Sequence, residues 1–376
     1  MKNLCCISLI GCAFAYSSNV LAQEVTVRIG HVGPISGPQA HYGKDNENGV
    51  RMAIDDLNAK KVKIGGKTAK FVLAAEDDAA DPKQGTAAAQ KLCDANVSGV
   101  VGHLNSGTTL PAARIYSDCG IPNVTPSATN PQITKQGFKT TFRVLANDNA
   151  LGEGVVKYAA SQLKLKRIAV IDDRTAYGSG MAEVVKKAAV AAGLQVVDEQ
   201  FTNDKAYDFM AILTAVKTKQ PDGIFFAGFD AQAGPMLRQM EQLGMTNIKF
   251  MGGDGVCTEK LIELAAGAKT LGNVVCAEGG SSLAKMPGGT AWKARYDQRF
   301  PGQFQVYSPY AYDAAMMLAD AMVKAGSSDP AVYLPTFAKS SYQGVTALIA
   351  FDAIGELKSP SITLYQYASN KKLVLN

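Results

Sequence analysis

The sequence predicts an α/β protein built as two doubly wound, parallel-sheet lobes. Two observations point there. Short β-rich runs alternate with helix-patterned stretches through most of the chain, and repeated β-α-β units form parallel sheets covered by helices on both faces. The chain is also long. About 350 of its 376 residues follow a leader-like segment, more than one hydrophobic core usually holds, so two domains are expected.

The elements follow in order. Residues 1–22 read as an export signal. Lys2 gives a minimal positive start, residues 4–16 form an apolar stretch too short to cross a bilayer, and Val20-Leu21-Ala22 fits the small-residue cleavage pattern. The mature chain is then expected to begin at Gln23, in an extracytoplasmic compartment such as the periplasm. The alternative is a lipoprotein box at Leu9-Ile10-Gly11-Cys12, with Cys12 lipidated. Strands are expected at 25–30, 70–75, 97–101 and 122–124, with helices at 43–59 (Val50, Ala53, Ile54 and Leu57 on one face), from Asp81-Pro82 onward, and at 109–119. Asp as N-cap and Pro at the first helical position make the second of these starts specific. A second series alternates helices at 150–162, 181–192, 209–218, 231–243 and 259–264 with strands at 167–172, 195–200, 223–227 and 249–251. Met236 and Met240 lie helix-spaced and read as core filler. The tail is less regular, with a strand at 273–277, helices at 289–299 and 309–325, and β runs at 348–351, 362–367 and 373–375.

Composition narrows the function classes. The formal net charge is +5 without a Lys/Arg cluster interleaved with aromatics, which argues against nucleic acid as a partner. Beyond the leader, four cysteines remain, an even number that suits disulfides in an exported chain. Cys93 with Cys119, near the ends of neighbouring helices, and Cys257 with Cys276, which bracket a helix, are plausible pairs. Four buried free thiols are the alternative. The histidines are His31, His41 and His103, and there is no Cys-x-x-Cys, so neither a metal site nor a cofactor is expected.

In open parallel sheets, ligands bind beyond the carboxyl ends of strands. Gly102-His103-Leu104-Asn105-Ser106-Gly107-Thr108-Thr109 follows an apolar strand and opens a helix, where free N–H groups welcome an anion and Ser106 adds a hydroxyl. Simple N-capping by Ser or Thr is the competing reading. Thr125-Pro126-Ser127-Ala128-Thr129-Asn130-Pro131 ends the next strand in a stiff, hydroxyl-bearing loop. Together the two loops suit a zwitterion. Tyr42, Tyr177 and Phe229 are aromatics after strand ends. Asp254, set among glycines after residues 249–251, is a carboxylate placed to face an ammonium, with a turn or cap role as the alternative.

The segments GPISGPQAHYG, DDAADPKQ, GHLNSGTT, TPSATNP, AYGSG and FMGGDGV occur in this order, and the set resembles the leucine/isoleucine/valine-binding proteins of ABC transporters, a branch of the type I periplasmic binding proteins. The resemblance spans nearly the whole mature chain. It implies two lobes joined by three crossing segments, an inter-lobe ligand cleft and hinge closure. The first lobe would comprise 23–147 with 276–350, and the second 148–275 with 351–376. Ser106, Ser127 and Thr129, with Ala128 between, would hold the carboxylate and part of the ammonium of an amino acid, a branched aliphatic one. Asp254 would face the ammonium, and Tyr42, Tyr177 and Phe229 would line the cleft. Partners would be that ligand and an inner-membrane ABC permease, with the protein acting as a monomer. Two positions depart from the family pattern, Asp254 where Glu is frequent and Phe229 where Tyr is frequent. The disulfide of some relatives would fall at Ala80 and Asn105, so that bridge is missing.

Other functions fit less well. Gly178-Ser179-Gly180 is followed by Glu183 where a dinucleotide fingerprint needs a small residue, and no G-x-S-x-G or Walker loop occurs, so an enzyme is not expected. Binding of an amide, urea or aromatic acid, or a sensor role beside a signalling receptor, uses the same architecture and remains the alternative.

Overall fold

The computed structural model describes residues 24–375. The expected leader, Cys12 and Gln23 lie outside the described residues. The chain opens with β1 (Glu24–Gly33), whose last five residues are all buried, and α1 (Ala40–Ala59). β2 (Lys63–Ile64) and β3 (Lys67–Asp77) lead to α2 (Pro82–Asp94). That helix starts as its residues dictate: the Asp81 carboxylate accepts the N–H groups of Lys83 and Gln84 at 2.9 and 3.0 Å, and Pro82 takes the first position. β4 (Gly99–Gly102), α3 (Ser106–Asp118), β5 (Asn123–Thr125), α4 (Gln132–Lys135) and β6 (Thr141–Arg143) complete the run. Its strands pair in the order β2-β3-β1-β4-β5-β6, parallel apart from the β2–β3 edge. The chain moves from β3 on one side of β1 to β4 on the other, which makes the crevice above β1 and β4 a switch point.

The chain then crosses to a second sheet. α5 (Asp148–Ser161), β7 (Arg167–Asp172), α6 (Ala176–Ala191), β8 (Gln195–Phe201), α7 (Met210–Thr218), β9 (Gly223–Ala227), α8 (Asp230–Gln242), β10 (Lys249–Gly252), α9 (Lys260–Leu264) and β11 (Val274–Gly279) follow. The chain returns with α10 (Gly289–Arg299), α11 (Ser308–Ala325), α12 (Pro330–Ala338) and the hairpin β12 (Ser341–Gln343) and β13 (Leu348–Ala350). It crosses once more to β14 (Ile362–Ala368) and β15 (Lys371–Val374), which extend the second sheet antiparallel in the order β15-β14-β11-β10-β9-β7-β8.

α11 is the central helix of the first lobe. Apolar side chains all round it, among them Ala311, Ala314, Ala315, Leu318 and Met322, are buried between α1, α12 and β4. Gly326 ends it in the left-handed region, φ 66°, where a Cβ would be strained. Its start is fixed from α1: the buried Asp45 carboxylate accepts the N–H groups of Val306, Tyr307 and Ser308 at 3.1, 2.8 and 3.0 Å.

Three expectations need correction. The lobe boundary placed at 276 cuts through β11, which pairs with β10 from Val274 to Cys276 and with β14 from Val275 to Gly279, so the chain changes lobes after Gly279. The boundary at 351 comes too early. Phe351 packs on Phe142 and Phe337 of the first lobe, with ring centroids 4.9 and 5.5 Å apart, and Glu356 accepts hydrogen bonds from Arg143 and Thr134. The second and third crossings meet where the Gly280 N–H donates to the Ser361 carbonyl at 2.6 Å. Finally, α6 begins at Ala176 rather than 181, because the Thr175 hydroxyl caps the Gly178 N–H at 3.0 Å.

Two bridges staple the lobes. Cys93–Cys119 ties the end of α2 to the end of α3, and Cys257–Cys276 ties the loop after β10 to β11. With partners 26 and 19 positions apart in sequence, each contributes about 3 kcal/mol in the chain-entropy picture. No helix among the described residues is long and apolar enough to cross a membrane.

Candidate functional site

The strand ends of the two sheets face one another. Leu104, Asn105 and Ser106 follow β4, and Ser127, Ala128 and Thr129 follow β5. From the other lobe come Tyr177 after β7, Phe229 after β9 and Asp254 after β10. All nine, with Tyr307 from the loop entering α11, line one pocket of about 10 Å³. Seven of the eight ligand-binding residues expected from the sequence are in this set.

Tyr42 is the exception. It is fully buried behind the wall, with its ring 6.0 Å from those of both Phe229 and Tyr307. Its hydroxyl donates to the Gly255 carbonyl at 2.7 Å, so it joins α1 of one lobe to the Asp254 loop of the other. Other hydrogen bonds also span the lobes, among them His41 Nε2 with Asp230 Oδ2 at 2.9 Å and Asn130 Nδ2 to the Ala176 carbonyl at 2.7 Å.

The first-lobe loops are held from within. The Ser127 hydroxyl donates to the Leu104 carbonyl at 3.2 Å and accepts from Asn46 Nδ2 at 3.1 Å. The Thr125 hydroxyl donates to the His103 carbonyl at 2.9 Å and accepts the Ala128 N–H at 2.8 Å. The fully buried Arg143 guanidinium, itself held by Glu356, donates to the Ala128 and Asn130 carbonyls at 2.6 and 3.0 Å. At α3 the N-cap is Asn105, whose side chain makes no cap hydrogen bond. Ser106 is already the first helical residue, and its hydroxyl accepts the Asn130 N–H at 3.2 Å rather than capping the helix. The first-turn N–H groups are thus without a side-chain cap, and they lie at the positive end of a 13-residue helix that favours an anion.

Asp254 is 1% exposed. Tyr177 donates to its Oδ1 and Tyr307 to its Oδ2, each at 3.0 Å, and the Gly255 N–H adds a third bond at 3.1 Å. Burial nevertheless pushes its carboxyl up to about 6, because these bonds only partly offset desolvation. Gly253 makes the approach of Tyr177 possible, since a Cβ there would lie 2.6 Å from the tyrosine oxygen. Asp148, buried at the start of α5, is driven to about 8 by burial and then by the charge of Asp254. Near neutral pH the pair therefore separates into a mostly neutral Asp148 and a mostly charged Asp254.

The sequence reading missed Tyr307. It follows no strand, so a search of strand ends passes over it. Its signal is an aromatic directly before Ser308-Pro309, a helix start whose backbone Asp45 clamps. Among the described residues, no group of three or more His, Cys, Asp or Glu is arranged to hold a metal. The arrangement offers helix N–H groups and hydroxyls for an anion on one wall and a carboxylate for a cation on the other.

A profile of the family described as periplasmic binding protein matches residues 26–372. The chain is 33% identical to the leucine-, isoleucine-, valine-, threonine- and alanine-binding protein of Pseudomonas aeruginosa, over 91% of this chain and 90% of that one. It is 33% identical to the leucine-specific-binding protein of Salmonella typhimurium, over 94% of each. Its fold matches the crystal structure of a branched-chain amino acid transporter substrate-binding protein from Streptococcus pneumoniae in complex with isoleucine, with a TM-score of 0.83 at 25% identity, covering 93% of this chain and 99% of that one. With opposed sheets, strand-end loops and sequence in agreement over almost its full length, the chain belongs to the periplasmic binding protein family.

Proposed function

We propose that this chain captures a free amino acid between its lobes, a branched aliphatic one as in the named relatives, and delivers it to the permease of an ABC transporter. The observation that carries the reading is the convergence of Ser106 and the 127–129 loop from one lobe with Asp254 from the other on a single pocket. The α-carboxylate sits at the start of α3, against Ser106 and Thr129, and the ammonium faces Asp254. The aromatic wall of Tyr177, Phe229 and Tyr307 covers the side chain. Tyr42 acts behind this wall as a support. The lobes part for entry and close on the ligand, because only the closed form contacts it from both sides. The 1–22 leader directs export to the periplasm, where the two disulfides form, and the mature protein works as a monomer that binds without catalysing a reaction.

Calorimetry on protein unfolded, stripped of bound ligand and refolded tests this. Leucine, isoleucine or valine binding at micromolar or tighter Kd is expected. Failure of every common amino acid to bind overturns the reading.

A further inference from the structure

Asp254 stands between glycines. Gly253 and Gly255 are required there, because a Cβ would lie 2.6 Å from the Tyr177 hydroxyl oxygen at the first and 2.6 Å from the Gly228 carbonyl oxygen at the second. Glycine leaves the backbone its widest freedom, so close packing puts the acid on a segment poorly able to hold its own shape. Groups outside the loop must hold it.

That hold comes from the end of the chain. β14 and β15 form a hairpin in which Tyr367 and Lys372 are register partners. The buried Tyr367 hydroxyl donates to the Thr258 carbonyl at 2.8 Å and lies 3.3 Å from the Val256 carbonyl oxygen. Lys372 Nζ donates to the Cys257 carbonyl at 3.0 Å. Three successive carbonyls, beginning two residues after Asp254, are thus held by two side chains 109 to 115 positions later in sequence. The Cys257–Cys276 bridge ties the same segment to β11. The Cys257 N–H donates to the Asp254 carbonyl at 3.1 Å, which couples the braced segment to the acid through one turn.

Burying Lys372 is costly. Its side chain is 8% exposed, it pairs with the similarly buried Glu278 of β11, and Nζ lies 4.8 Å from the centre of the Tyr365 ring. A buried ion pair brings little net stability compared with apolar side chains of similar size. What the pair does here is aim an ammonium donor at a carbonyl of the Asp254 loop. Neither Tyr367 nor Lys372 lines the pocket.

Resting on the amino-acid reading above, we propose that Tyr367 and Lys372 are positioning residues for ligand binding, fixing the main chain after Asp254 so that its carboxylate is already in place for the ligand ammonium. A preorganised carboxylate gives its full interaction when the lobes close, whereas a mobile one loses part of it to ordering. The terminal hairpin then serves recognition without touching the ligand.

The test is a set of leucine titrations by calorimetry on the refolded, ligand-stripped chain. Tyr367→Phe removes one hydroxyl and keeps the ring. Lys372→Met combined with Glu278→Gln removes the ion pair as a unit and leaves no lone buried charge. Each is expected to weaken leucine binding about fivefold, the scale of one hydrogen bond. In an Asp254→Asn background the same changes are expected to move affinity by less than about twofold, because the charge they position is gone. A merely structural support would lower affinity by the same factor in both backgrounds. Either variant binding leucine as tightly as the unaltered chain, or losing the same factor with Asp254→Asn, overturns the proposal and leaves the amino-acid reading standing. If the pair variant does not fold, Tyr367→Phe alone decides. Leucine failing to bind the unaltered chain, or binding Asp254→Asn equally well, overturns the amino-acid reading and the proposal with it.

Discussion

On the first-lobe wall of the cleft, the hydroxyls of Thr125 and Ser127 are engaged with backbone and Asn46, and Arg143 pins two carbonyls of the same loop. On the second-lobe wall, Asp254 keeps three hydrogen bonds yet its carboxyl sits at about 6, and Asp173 has an oxygen with no partner. The loop hydroxyls of the first wall are satisfied from within the lobe, and the side-chain oxygens it leaves without partners, Asn46 Oδ1 and Asn105 Oδ1, are uncharged. The other carries buried acid whose desolvation is not fully offset. Such acid costs stability unless a cation or donor arrives, so the first wall acts as template and the second as the wall that gains most from ligand.

The sharpest way to break this contrast is Asp254→Ala. It should weaken amino-acid binding about 100-fold by calorimetry, the loss of one buried charge-assisted contact, whereas Asp297→Ala in an exposed helix pair should leave affinity unchanged. Equal affinities for the two variants would remove the acid from the site. Next in size is the pH dependence. An ammonium needs the ionised carboxylate, so affinity should be level above about pH 7 and fall roughly tenfold between pH 7 and pH 5 as Asp254 takes up its proton near 6. An affinity flat over that range would show that Asp254 does not titrate at the ligand.

Ligand-free stability should respond in the opposite sense. The folded Asp254 carboxyl lies above its unfolded value, so the native state binds more protons between about pH 4 and pH 6, and this group's contribution to stability is lost as pH rises through that window. Asp254→Asn should therefore raise the ligand-free Tm at pH 8 by about 2–5 °C, with the amide oxygen still accepting from Tyr177 and the amide nitrogen donating to the Tyr307 hydroxyl. A lower Tm would mean that the charge itself holds the loop. Smallest is Ser127→Ala. It strands the Asn46 amide and should cost about 1 kcal/mol in a urea melt, with at most a few-fold change in affinity. A loss of binding as large as that of Asp254→Ala would show that the first wall is not a preformed template.

The alternation of strands and helices made most of the fold legible, because these helices repeat an apolar face and the inner strands are continuous apolar runs. β6 and α4 were not, since three or four residues carry no period. The lobe boundaries slipped because they depend on where β11 finds its partner and where Phe351 packs, and both are long-range pairings without local signature. In the site, strand-end logic found Ser106, Thr129, Tyr177, Phe229 and Asp254. It could not find Tyr307, which approaches from a helix start, and it gave Tyr42 a lining role where burial gives it a supporting one.

The place of α11 in the chain has a consequence for synthesis. The helix that fills the heart of the first lobe ends at residue 325, long after the strands it covers have left the ribosome. Until it arrives, the first half of the polypeptide has a sheet with one face covered only in part, by α1, and it cannot lock into its final state domain by domain as the chain emerges. A translocation machine that accepts only unfolded polypeptide would find such a late-finishing substrate easy to thread.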